Sequence, residues 1–282
     1  DLYGKLKSYK TLIKQLKSNP VLESISLGFN KISNKGIKSI ARKLRHNKSV
    51  KFIGLTHNKI RTKGAMILAQ ALKVNQSIDK ILLYNNRIGI KGSRAFADAF
   101  SFNNTLKYLD LGFNRIGNKG TIFLAEGLKH NTVLQTLTLS RNEIGNLGLK
   151  ALSECLVVNT SLKNLYLSDN KIRSYGCKFL SNALMINNTL EAIELSYNNI
   201  DNAGLKYLAE GLIVNKGLKE FEFSGNEIDI EGAKYMSDIL TNNQTLENMN
   251  IGGKEFRNEG AVIIADSLKN NNTLKAINLT AC

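Results

Sequence analysis

The residues of this chain best suited to chemistry are three histidines, His46, His57 and His130, and three cysteines, Cys155, Cys177 and Cys282. A zinc site needs such ligands at short, paired spacings, and a nucleophilic site needs a Ser or Cys beside a base. No Cys/His grouping here has ligand spacing, and His57 has no nucleophile at a suggestive position. His46 and His130 fall at equivalent helix ends too far apart to share a site. The glycines recur singly along the chain and form no phosphate-cradling loop. The expectation is no catalytic residue, no cofactor and no metal.

Binding chemistry is better represented. Phe52, Leu82, Tyr84, Tyr108, Phe113 and Tyr166 occupy related positions, with His57, Lys80, Asp110 and Arg141 among them. Exposed rings beside cations have the composition of a protein-binding hot spot. The bland alternative is that rings on adjacent strands stack only on one another. A scaffold gains little from large exposed rings, so binding is the favoured reading. A second set is charged: Lys31, Lys59, Arg87 and Arg115 recur at one position, Lys35, Lys63, Lys91 and Lys119 at another. Later in the chain Glu143, Glu227 and Glu255, then Glu231 and Glu259, take the same places. Lysine at a helix start opposes the dipole, where an acid would contribute ~0.3–1 kcal/mol. The basic rim is therefore either selected for a purpose or one ancestral Lys copied along with its repeat, and both readings stay open.

One period generates these spacings. With Leu106 as column 1, the stretch Leu106–Gly120 reads L-x-x-L-x-L-x-x-N-x-I-x-x-x-G and returns every 28 residues without insertion. A period of that size decides the architecture, because stacked units contact only their neighbours. Columns 1, 4 and 6 are apolar (Leu106, Leu109, Leu111), and the last two alternate with polar residues as in a half-buried strand. Column 9 is Asn from Asn30 to Asn226, able to satisfy the turn leaving the strand and to form a ladder; Lys254 breaks it. Column 11 is Ile, or Phe256 in the ninth repeat. Column 13 is rich in Asn, Thr and Ser and reads as an N-cap, and the column 15 glycine as a close helix-to-strand approach. Columns 16, 19, 20 and 23 (Thr121, Leu124, Ala125, Leu128) have the spacing of an amphipathic helix. Column 26 is a turn Asn. Seven of those turn asparagines begin N-x-S/T sequons, which turn chemistry explains without glycosylation.

The expected organisation is a helical N-terminal cap or half repeat at 1–21, nine repeats at 22–273 and a cut tenth at 274–282, forming one continuous domain. Strands ~4.8 Å apart beside helices ~10 Å wide force curvature, with the sheet inside and a concave arc of roughly 45 Å. Columns 3, 5, 7 and 8 would line that arc, and columns 10 and 14 its rim.

These columns resemble the leucine-rich repeat family. The repeat length, the Gly-x-x-x-Leu-Ala-x-x-Leu helix and the column 9 Asn are similar to its ribonuclease-inhibitor-like subclass, and Cys282 fits a column that there accepts Asn or Cys. The resemblance implies an α/β horseshoe with a parallel sheet inside and helices outside, and a binding scaffold without a common ligand.

The net charge of +16 suits an acidic partner, nucleic acid or an anionic membrane, and charge alone does not choose among them. The leading expectation is a monomeric, non-catalytic scaffold that binds a protein with an acidic surface, through the concave face and through Lys59, Arg87 and Arg115 on the rim. The subclass also includes the Ran GTPase-activating protein, so resemblance implies GTPase activation as an alternative. The repeats are also similar to those of effectors delivered by intracellular bacteria into host cells, which implies a host-protein ligand. Nucleic acid is least favoured, given the acidic later rim and the lack of a recognised motif. Few cysteines suggest a reducing, intracellular setting. No apolar run approaches the ~18 residues of a membrane span.

Overall fold

The computed structural model describes residues 20–252 and 257–279. Most of the expected N-terminal cap, the ladder break at Lys254, Glu255 and Phe256, and Cys282 lie outside the described residues. The chain divides into two compact units, Asp1–Asn142 and Glu143–Cys282.

The first unit alternates β1 (Ser24–Ser26), α1 (Asn34–Leu44), β2 (Phe52–Gly54), α2 (Thr62–Leu72), β3 (Lys80–Leu82), α3 (Gly89–Phe100), β4 (Tyr108–Asp110), α4 (Gly117–Leu128) and β5 (Thr136–Thr138). The second runs α5 (Asn146–Leu156), β6 (Asn164–Tyr166), α6 (Ser174–Leu184), β7 (Ala192–Glu194), α7 (Asn202–Val214), β8 (Glu220–Glu222), α8 (Ile230–Asn242), β9 (Asn248–Asn250), α9 (Arg257–Leu268) and β10 (Ala276–Asn278). Within each unit successive strands pair in parallel with equivalent columns opposed, as in Ile53↔Ile81↔Leu109↔Leu137 and Leu165↔Ile193↔Phe221↔Met249.

Burial follows the columns. In one repeat Leu106, Leu109, Leu111, Ile116, Leu124, Ala125 and Leu128 are all buried. Removing each large side chain from water contributes about 1.5–3 kcal/mol. Because column 4 turns inward, its neighbours in columns 3 and 5 stand on the open face of the sheet.

Two asparagine ladders carry the corners. Asn114 Nδ2 donates to the carbonyls of Leu83 (2.9 Å), Leu111 (3.0 Å) and Gly112 (2.9 Å), while its Oδ1 accepts from Ile88 N (3.3 Å). At the other corner Asn75 Oδ1 accepts from Ser77 N (3.0 Å) and Ile78 N (2.9 Å), and its Nδ2 donates to Leu44 O (2.7 Å) and Asn47 O (2.9 Å). The nitrogen a glycan would need is thus committed to the preceding repeat, and Asn75, Asn103, Asn159, Asn187 and Asn243 are buried.

Two column assignments need correction. Column 13 lies inside the helix rather than at the N-cap, as the first residue of α1, α2 and α5 to α8 and the second of α3, α4 and α9, and at Asn34 its side chain serves the next repeat: Asn34 Oδ1 accepts from Arg61 N (2.8 Å) and Gly64 N (3.2 Å). Asn146 does the same for Arg173 N (2.9 Å), while Asp201 and Asp229 in column 12 cap their own helices. The column 15 glycine marks helix-to-helix approach. A Cβ on Gly120 would fall 2.5 Å from Ile116 Cγ2 and 3.0 Å from Ser93 Oγ of the preceding helix.

Candidate protein-interaction surface

The first unit gathers most of the expected binding residues on its open sheet face. Phe52, Lys80, Leu82, Tyr108 and Asp110 sit half-buried in β2, β3 and β4. Lys80 Nζ lies 4.3 Å from the centre of the Tyr108 ring, a cation over a π face. Asp110 accepts from Gly112 N (2.8 Å), and burial holds its carboxyl above the usual carboxylate range. Tyr166 stands half-buried on β6 in the second unit.

Beyond each strand, column 8 adopts left-handed backbone in both units. Phe29 (φ 61°), His57 (54°), Asn85 (52°), Phe113 (53°) and Arg141 (59°) do so in the first, Asp169 (54°) and Tyr197 (55°) in the second. Asn, Asp and Gly tolerate this conformation, whereas for other residues it costs roughly 1–2 kcal/mol. The rings held there join with Tyr84 of column 7 into a ridge. Phe29 stacks on His57 with centroids 4.3 Å apart, His57 meets Tyr84 at 5.5 Å, and Tyr84 meets Phe113 at 6.2 Å. Asn85 Nδ2 and His57 Nδ1 are 2.6 Å apart, and Arg141 Nη1 reaches Tyr84 Oη at 3.4 Å. The rings stack on one another, as the bland reading allowed, yet Phe29 and Phe113 remain 57% and 46% exposed. Phe29 belongs to this ridge, and its signal in the sequence is its place in column 8.

The rim is basic and unneutralised. Lys59, Arg87 and Arg115 are exposed, as are Lys31, Lys35, Arg61, Lys63, Lys91 and Lys119. Among the described residues none of these nine pairs with a carboxylate, although the same chain neutralises other lysines. In column 2, Lys51 pairs with Glu23 (2.7 Å), and Lys163 (2.7 Å) and Lys219 (3.6 Å) flank Glu191. Lys275 pairs with Glu247 (2.7 Å). Glu191 and Glu247 are accordingly held below the usual carboxylate range, chiefly by hydrogen bonds from Lys163 and Lys275.

The second unit carries a different face. Glu194 and Glu222 are register partners on β7 and β8, with Glu220 beside them. Burial, aided by the charge of Glu222 and opposed by a hydrogen bond from Ser168, holds the Glu194 carboxyl above its usual range. These acids are not among the residues expected to bind, and their signal in the sequence is their place in the outward-facing columns 3 and 5. Among the described residues no helix is long and apolar enough to cross a membrane.

The family description "Leucine Rich repeat" matches residues 18–41, 102–125, 130–153, 158–181 and 187–209. The chain is built of leucine-rich repeats, in which parallel strands alternate with helices. No curated protein matches its sequence. Among solved structures it is similar to the actin-binding site 2 of leiomodin-1, at 20% identity and TM-score 0.44, over 48% of this chain and 78% of that one. It is also similar to the tropomodulin C-terminal domain of Caenorhabditis elegans, at 11% identity and TM-score 0.44, over 63% of this chain and 92% of that one.

Proposed function

We propose that the unit Asp1–Asn142 binds an acidic protein partner across its open sheet face, with the basic rim drawing the partner in and the aromatic ridge holding it. The observation that carries this reading is the rim's nine cations without a carboxylate partner among the described residues, beside lysines elsewhere that are paired. Like charges set side by side forgo some stability, and complementary charge on a partner relieves them while speeding encounter. The ridge adds the rings from which binding hot spots are made. Phe29, His57 and Phe113 stand there in a backbone conformation that disfavours them, which drift alone does not require.

The test is reversal of Lys59, Arg87 and Arg115 to Glu. Exposed unpaired charges contribute little to folding, so thermal stability stays nearly unchanged. Affinity for an acidic peptide falls at least tenfold and its dependence on salt weakens. Equal binding by this variant and by wild type would remove the rim from the account.

A further inference from the structure

The sheet face of the first three repeats is not flat. Ser26, Gly28, Gly54 and Thr56 present little or no side chain, and they floor a depression of about 500 Å3. Phe29, Asn30, Phe52 and Leu82 complete its lining. Leu82 shares column 5 with Ser26 and Gly54, so the hollow exists because two successive strands place a small residue where the third places a leucine. A Cβ on Gly54 would lie 3.3 Å from Phe52 Cζ and 3.4 Å from Ser26 Oγ, so the space above that glycine is bounded by the ring beside it.

No charged side chain lines the hollow. Lys31, next in sequence to Asn30, and Lys59 stand in column 10, two positions past Phe29 and His57, which stack on each other in column 8. A largely apolar, uncharged lining with charge outside suits an amphipathic protein segment better than a compact anion. Such pockets accept an aromatic or large aliphatic anchor, and truncating an anchor of this kind commonly removes most of the binding energy.

We infer that this hollow is an anchor site for a bulky apolar side chain, Trp or Phe in size, on a protein segment whose flanking residues are acidic. The inference rests on the proposed acidic partner and adds what the partner must carry between its acids. The rim attracts the segment without reading its sequence, and the hollow selects the one side chain that must be large and apolar.

The chain contains no tryptophan, so the probe supplies its own signal. A short Glu/Asp peptide with one central Trp is titrated with the protein, and its fluorescence shifts to the blue as the ring leaves water. An otherwise identical peptide with Ala in place of Trp binds at least tenfold more weakly. Gly54→Leu, copying Leu82 one strand away, fills the hollow. It abolishes the blue shift and weakens the Trp peptide to the level of the Ala peptide. Ser26→Leu fills the hollow from the first strand and gives the same result if Gly54→Leu fails to fold. Equal affinity of the Trp and Ala peptides, or an undiminished blue shift in both filled variants, overturns the anchor site and leaves the rim reading intact. Free indole binding as tightly as the peptide, with the same loss in Gly54→Leu, makes the hollow a small-molecule site and overturns the inference. Failure of both peptides to bind the wild type overturns the rim reading itself.

Discussion

Replacing Asn114 by alanine isolates what holds one repeat to the next. The side chain is fully buried and makes four hydrogen bonds to backbone, of which those to Leu83 O (2.9 Å) and from Ile88 N (3.3 Å) reach the preceding repeat. Gly112 O keeps a partner after the change, because Asn85 N donates to it at 2.9 Å. Leu83 O and Leu111 O likewise keep a donor each, from Asn86 Nδ2 (3.0 Å) and Asn142 Nδ2 (2.9 Å), so Ile88 N alone loses the acceptor described for it. A buried polar group left without a partner costs about 1–3 kcal/mol and each of the three bonds lost to still-partnered carbonyls about 0.5 kcal/mol, so Asn114→Ala destabilises by roughly 2.5–4.5 kcal/mol. Asn30, in the same column, is half-buried and its side chain donates to Gly28 O (2.8 Å), so Asn30→Ala costs roughly 0.5–1.5 kcal/mol. Urea unfolding followed by circular dichroism compares the two variants, and amide exchange at Ile88 reports the local effect. If Asn114→Ala falls within ~1 kcal/mol of Asn30→Ala, or Ile88 keeps its full protection, the asparagine ladder does not carry the corner.

Three further outcomes follow from the geometry. Gly120→Ala lowers stability by roughly 1–3 kcal/mol in urea unfolding, because the clash with Ile116 and Ser93 outweighs the ~1 kcal/mol by which Ala favours a helix. The Cys177 thiol, pushed up to about 12 by burial, carries roughly one thiolate in ten thousand at pH 8, so a disulfide-exchange reagent leaves it untouched until denaturant is added; this is read on a Cys282→Ser background. Glu194 binds its proton more tightly folded than unfolded, so its contribution to stability is greatest in acid and declines as pH rises through its raised folded range. Glu194→Gln removes that decline and raises the urea midpoint at neutral pH; an unchanged pH profile would show that burial beside Glu222 is not felt.

The apolar columns were legible because strand and helix periods impose them directly: Leu109 and Leu111 alternate, and Thr121, Leu124, Ala125 and Leu128 recur at helical spacing, and all are buried. What escaped was set between repeats. Asn34 was read as a cap for its own helix, but a side chain at the first helical residue points to the next repeat, so it caps Gly64 instead. Gly120 was placed against a strand, whereas the side chains a Cβ would strike are Ile116 and Ser93, one of them a full repeat earlier. The left-handed backbone of column 8 had no residue signature, because Phe29, His57 and Phe113 defy the Asn or Gly that such a conformation favours. The alternating charges of column 2 could have been read from Glu23, Lys51, Asp79 and Lys107 alone. The hollow left by Ser26 and Gly54 becomes visible only when the strands are laid side by side in register.

A selection that presumes no partner tests the central claim most directly. Short random peptides displayed on phage are panned against the wild-type protein and, in parallel, against the Lys59, Arg87 and Arg115 to Glu variant. The wild type enriches peptides in which Glu and Asp flank one Trp, Phe or Leu, and the variant loses them. Enrichment of basic peptides by the wild type, or recovery of the same acidic peptides by both proteins, would contradict the account.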